Sequence, residues 1–168
     1  MGGKSVSVSG VAQNRFLAFA MGLVVLFVAA ALAASARADD SGLVSAADRS
    51  AIQSVISGQV DAFRADDGAT AFDYASPSIR AMFGTPDNFM RMVRQGYRPV
   101  YRPRVFEFQE IVEIQGVPAQ RVFVVGPDGV PRIAVYLMEL QGDGSWRIDG
   151  CLLIDAASAA MSSVIRVS

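Results

Sequence analysis

Apolar residues change their spacing twice along this chain. A continuous apolar run from Phe16 to Ala34 comes first, apolar positions three and four apart follow, and alternation with period two takes over after about Val100. Spacings of three and four mark one face of an α-helix, and alternation marks one face of a strand. The second region opens with a helix predicted over Leu43 to Asp67, in which Ile52, Val55, Ile56, Val60 and Phe63 make one stripe. Ser45 is placed to cap it, with Asp48 three residues on, close to a capping box. Asp66-Asp67-Gly68 ends it. Ala69 to Ala75 reads as a short second helix stopped by Ser76-Pro77, and Ser78 to Phe83 as another turn. Thr85, Pro86 and Asp87 then occupy the cap, first-turn and dipole-favoured positions of a helix running to about Gly96. Phe89, Val93 and Tyr97 form its buried stripe, with Met92 beside it.

Four strands are predicted beyond it, at Val100 to Ile114, Gln120 to Val125, Pro131 to Leu140 and Trp146 to Ile154. Gly116, Gly126-Pro127-Asp128-Gly129 and Gly142-Asp143-Gly144 separate them, and such short connections imply an antiparallel meander. Pro99 and Pro103 confine the start of the first strand to an edge or a lead-in. Opposing Leu140 to Trp146 in the last hairpin pairs Met138 with Ile148, Tyr136 with Gly150 and Ala134 with Leu152 on a core face. The other face then carries Glu139 with Arg147, Leu137 with Asp149, Val135 with Cys151 and Ile133 with Leu153. Helices first and an antiparallel sheet second predict an α+β fold, with the helices packed on one face of a curved four-stranded sheet.

This order of elements resembles the nuclear-transport-factor-2-like cone, in which a bent sheet wraps a long first helix and often leaves a cavity. More narrowly, Ala71-Phe72-Asp73-Tyr74-Ala75-Ser76-Pro77, Ile79, Phe83-Gly84, Phe89, Met92-Val93, Tyr97, Pro99, Arg102-Pro103 and Trp146-Arg147-Ile148-Asp149-Gly150-Cys151 resemble a bacterial family, domain of unknown function 4864. That resemblance carries no assigned reaction. The wider fold hosts isomerases, dehydratases, epoxide hydrolases and binding subunits, so chemistry has to be argued from the site.

The apolar run follows Lys4 and Arg15 and leads to Ala36-Arg37-Ala38, the order of a secretory signal peptide cleaved between Ala38 and Asp39. The run is long for a signal, and an uncleaved anchor formed by residues 16–34 is the alternative. The expected organisation is a signal over residues 1–38, one α+β domain over 39–155 and an Ala- and Ser-rich tail over 156–168, loosely helical or disordered. Location follows: the periplasm or the extracellular space, or the inner membrane if the run is retained. Residues 39–168 carry 12 Arg and no Lys or His against 16 Asp and Glu, for a net charge of −4. A mildly acidic domain is a poor nucleic-acid binder.

Having no His removes the commonest general base and metal ligand. With one Cys and no calcium-loop pattern, neither a cofactor nor a metal is expected. Catalysis would rest on carboxylates and tyrosines, and a ketosteroid-isomerase-type site, which the fold resemblance implies as an option, needs a carboxylate base opposite a Tyr. Glu110, Asp66 and Tyr97 are the candidates. Strict alternation sets Glu110 among Phe106, Phe108, Val112 and Ile114, so either a bulge turns it outward or it faces a cavity. Asp66 at a helix end is more simply a solvated terminus. Gln59, inside the stripe of the first helix, is either bonded to backbone at the helix–sheet contact or facing a cavity.

Tyr97, Tyr101 and Arg102 join Gln59 as candidate ligand contacts. Arg91, Arg94, Arg98, Arg102 and Arg104 suit an anionic ligand or partner, or a solvated surface. Cys151 is expected to be a small buried hydrophobe. The function expected is a non-catalytic module that binds a small apolar or anionic ligand or an envelope protein. The alternatives are a carboxylate- and Tyr-dependent isomerase or hydratase, and a homodimeric scaffold paired through Ile133, Val135, Cys151 and Leu153.

Overall fold

The computed structural model describes residues 44–159. The expected signal segment, the cleavage point at Ala38 and Asp39, and residues 160–168 of the tail lie outside them. Helix α1 spans Ala46–Arg64, α2 Gly68–Asp73, α3 Pro77–Phe83, α4 Pro86–Gly96 and α5 Arg98–Tyr101. Strands β1 (Val105–Ile114), β2 (Val117–Val125), β3 (Pro131–Leu140) and β4 (Trp146–Asp155) form one antiparallel sheet in sequence order, and residues 156–159 are helical. The architecture is α+β, as the spacing predicts, and is compatible with the cone-like resemblance.

The caps form where the sequence puts them. Ser45 Oγ accepts the Asp48 amide at 3.0 Å and donates to Asp48 Oδ2 at 2.7 Å. The indole N–H of Trp146 donates to the other carboxylate oxygen of Asp48 at 2.9 Å, tying the start of α1 to the start of β4. Both hydroxyl and indole favour the charged carboxylate, and together they hold Asp48 below its ordinary pKa. Ile52 and Ile56 of α1 are fully buried against Val122, Ala134, Tyr136 and Ile148 of the sheet. Each such side chain contributes about 1.5–3 kcal/mol. A second cluster joins the end of α1 to α2 and α4 through Phe63, Phe72 and Phe89, with ring centroids 5.4–6.2 Å apart. Gly58 interrupts the helical stripe because a β-carbon there would run into the Tyr74 ring.

Four readings of the sequence are corrected. Val100 and Tyr101 belong to the helical turn α5, and β1 starts only at Val105. A proline is acceptable in the first turn of a helix, where its missing N–H would go unbonded, so Pro99 fits α5 as well as it would an edge strand. Strand β2 begins at Val117, three residues early, because Gln115 and Gly116 both take positive φ (53° and 82°) and close a two-residue hairpin turn.

The third correction concerns the last hairpin, whose register shifts by one residue. Leu140 opposes Trp146 and Met138 opposes Ile148, but Leu137 then opposes Gly150, leaving Asp149 as an extra residue in β4. Beyond that bulge Tyr136 faces Cys151 and Ala134 faces Leu153, so Cys151 and Leu153 turn to the helix side of the sheet. Leu137, not Tyr136, covers Gly150, with Leu137 Cδ1 only 3.3 Å from where a β-carbon would sit.

The proposed dimer face changes as well, and this is the fourth correction. Ile133 and Val135 are 4% and 6% exposed, packed with Ala119 and with Ala159 of the C-terminal turn, while Leu152 and Ile154 share their side of the sheet.

A second bulge lies in β1 between Phe108 and Ile111. Gln120, fully buried on β2, serves it by donating 2.7 Å bonds to the carbonyls of Gln109 and Arg121. The edge of β4 is partly covered: Ser76 N donates to Ile148 O at 2.9 Å, and Ile148 N donates to Tyr74 O at 3.0 Å. Asp149, displaced by its bulge, accepts from the hydroxyls of Ser76 (2.6 Å) and Ser78. The Tyr74-Ala75-Ser76-Pro77 and Trp146-Arg147-Ile148-Asp149 segments therefore meet.

Two substitutions test this account by urea unfolding. Gln120→Leu leaves two carbonyls without a donor and is expected to cost about 1–3 kcal/mol, and Asp149→Ala, losing both serine hydroxyls, a similar amount. A loss below about 0.5 kcal/mol in either variant would show that its bonds are not limiting.

Candidate functional site

The apolar stripe of α1 leaves the sheet before the helix ends, and α3 and α4 cross the gap. Between them is a half-open cleft of about 360 Å³. Gln59 and Phe63 of α1 line one side, and Ile79, Phe83, Phe89 and Val93 of α3 and α4 line another. Tyr136, Ile148 and Cys151 of β3 and β4 form the sheet side, with Tyr97 and Val100 near the end of α4. None of the lining residues carries a charge. Helix α3 buries no residue of its own, and Met82 on the cleft is 73% exposed.

The polar groups in this lining are few, and most are engaged. The Gln59 side-chain amide donates to Ala71 O at 3.1 Å. It is thus bonded to backbone, though to α2 rather than at the sheet, and it also lines the cleft. The Tyr97 hydroxyl donates to Cys151 O at 3.0 Å. Burial raises the pKa of Tyr97, and the Cys151 thiol beside it adds to the shift. Burial likewise pushes the Cys151 thiol from its ordinary 9.0 to about 12, which makes it a neutral, unreactive group. Tyr136 is 1% exposed, its pKa is raised well above the ordinary tyrosine value by burial, and its hydroxyl has no hydrogen-bond partner. A buried hydroxyl without a partner costs about 1–3 kcal/mol.

The remaining candidates lie elsewhere. Glu110 sits at the β1 bulge with its side chain 56% exposed and paired to Arg121, outside the cleft. Asp66, Tyr101 and Arg102 come together in a separate surface cluster at the end of α1. Asp66 adopts a left-handed backbone (φ 57°) and accepts from the Tyr101 hydroxyl and, at 2.7 Å, from Arg102 Nη2, with Arg94 Nη2 at 3.7 Å. The Tyr101 hydroxyl, followed by the two guanidinium charges, holds Asp66 below its ordinary pKa. The Arg102 guanidinium lies 4.0 Å over the Tyr101 ring and donates to the carbonyl of Phe63, so the cluster caps the C-terminus of α1. Asp66 is thus held between two guanidinium groups, an arrangement that fixes the helix end.

Sequence reasoning thus found Gln59 and Tyr97 in the cleft but did not find the pairing of Tyr136 with Cys151. The signal was Asp149-Gly150, a polar residue and a glycine in the middle of the strand, which is a mark of a bulge. Among the described residues, no group of three or more Cys, Asp or Glu is placed to hold a metal ion, and no helix is long and apolar enough to cross a membrane.

The shifted pKa values predict a pH profile for stability. The raised Cys151, Tyr97 and Tyr136 leave stability intact below pH 9, where the unfolded chain's thiol is still protonated. Stability is then lost as pH rises from about 9 toward 12, at about 1.4 kcal/mol per pH unit while Cys151 alone drives it. The lowered Asp48 and Asp66 act in the other sense: their contribution, present above the ordinary value of 3.8, is lost as pH falls through it. Thermal unfolding from pH 3 to 11 should therefore show a plateau with two flanks. Moving the alkaline flank upward with Cys151→Ala checks the assignment.

No curated protein and no solved structure matches the chain. The family model described as Domain of unknown function (DUF4864) matches residues 45–161, and the chain belongs to that family.

Proposed function

We propose that this domain is an exported, non-catalytic binding module that receives a small, mainly apolar ligand in the cleft between α3–α4 and the β3–β4 hairpin. The observation that carries the reading is the lining: about 360 Å³ bounded by apolar and aromatic side chains, with no charged residue among them. Ligand sites are concave, mostly apolar and furnished with few polar groups, and a volume of this order suits a ligand of one or two rings. An anionic ligand fits poorly, since burying a carboxylate or phosphate here would leave its charge without a partner. The carboxylate-dependent isomerase or hydratase would need a base in the cleft, and Glu110 and Asp66 are both ion-paired elsewhere. Export is supported by residues 1–38 of the sequence alone.

The test is a fluorescence titration with 6-propionyl-2-(dimethylamino)naphthalene, an uncharged two-ring probe, on protein recovered after expression of the full-length gene. Saturable binding is expected, weakened at least about tenfold by Ile79→Trp, which narrows the mouth of the cleft. Binding that is absent, or indifferent to Ile79→Trp, would remove the cleft as the site.

A further inference from the structure

We infer that the Tyr136 hydroxyl selects the ligand's chemistry: the cleft takes an apolar molecule bearing a carbonyl oxygen, which accepts a hydrogen bond from Tyr136. This rests on the reading of the cleft as a ligand site and makes it more specific. The buried polar side chains of the domain are otherwise satisfied. Gln59, Ser76 and Gln120 are all buried, and each has a named partner: Ala71 O, Asp149 Oδ1, and the carbonyls of Gln109 and Arg121. Tyr136 breaks that pattern. The residue lines the cleft, its hydroxyl is sealed from solvent, and that oxygen is the one buried side-chain oxygen or nitrogen among the described residues that lacks a partner. A ligand oxygen reaches it by displacing the side chains that cover it.

The chemistry of that oxygen narrows the class of ligand. Burial keeps the phenol protonated, so it presents an O–H donor rather than a phenolate. The other hydroxyl of the lining, on Tyr97, already donates to Cys151 O, and the Gln59 amide is tied to Ala71. A site built around a single unpaired donor discriminates in favour of ligands that satisfy it. A ketone or aldehyde oxygen accepts without bringing a second polar hydrogen that the apolar walls would strand. A charged oxygen would meet no cation in the lining.

The experiment compares tetralin with 1-tetralone, one fused-ring skeleton without and with a carbonyl, by NMR titration of protein recovered from the full-length gene. The ratio of ketone to hydrocarbon affinity is expected to fall about three- to tenfold in Tyr136→Phe, the weight of one hydrogen bond. It is expected to hold in Tyr74→Phe, a phenol of the same core outside the cleft. The urea midpoint of Tyr136→Phe should stay at or above that of the unaltered chain, because no protein partner is lost. Binding of both compounds with a ratio unmoved by Tyr136→Phe, or moved equally by Tyr74→Phe, overturns the assignment to Tyr136 and leaves the cleft as a site. A marked drop in the midpoint overturns it too, by showing that the hydroxyl has a partner within the protein. If neither compound binds, the cleft reading fails and takes this inference with it.

Discussion

Asp149 has no residue opposite it on β3, and that one extra position decides which side chains of β4 face the helices. Without it, Gly150 and Leu152 would point inward, and Cys151 and Leu153 outward. With it, the thiol of Cys151 comes beneath Tyr136, and the helix face of the strand stays apolar to its end. The displaced carboxylate is in turn free to take the hydroxyls of Ser76 and Ser78, which fixes the start of α3 against the sheet edge. Bulges raise local twist and bend a strand. A sheet carrying one in β1 and another in β4 can curve around a single 19-residue helix.

The curvature also accounts for the cleft. Helix α1 is fixed at both ends, by Trp146 on Asp48 at its start and by Arg102 on the Phe63 carbonyl at its finish. Between those ties its stripe fills only part of the hollow, as Ile52 and Ile56 reach the sheet while Phe63 packs instead on Phe89. Helix α3, capped at Ser76 and Gly84 but burying no residue, spans the mouth without filling it. The fold is thus anchored away from the cleft and comparatively open beside it.

The helices and most of the strands were legible because their signals are local. Ser45, Thr85 and Pro86 mark helix starts, and Gly116 and Gly142-Asp143-Gly144 mark hairpin turns, whatever the rest of the chain does. The failures are non-local. Whether Pro99 opens a helical turn or leads into a strand depends on what packs around it. The register beyond Asp149 depends on Ser76 and Ser78, more than seventy residues away. Glu110 was open to two readings on the same ground, since alternation alone cannot report a bulge that a buried Gln120 stabilises from the next strand. The sequence offers Asp66 as a base or a solvated helix end and Tyr101 and Arg102 as ligand contacts, and nothing in their spacing shows that the three meet as a helix cap.

The electrostatics bear on what kind of site an apolar cleft can be. Proton transfer near neutrality works best with a group whose pKa lies near the working pH. In this domain the resolved shifts move groups away from that range: the carboxylates downward through hydroxyls, amides and guanidinium groups, the thiol and tyrosines upward through burial. The chain has no His to occupy the middle. A cleft lined by neutral donors that hold their protons is suited to recognising an oxygen by hydrogen bonding and ill suited to moving a proton. On the binding reading proposed above, the polarity of the ligand, rather than its charge, is the property such a cleft discriminates.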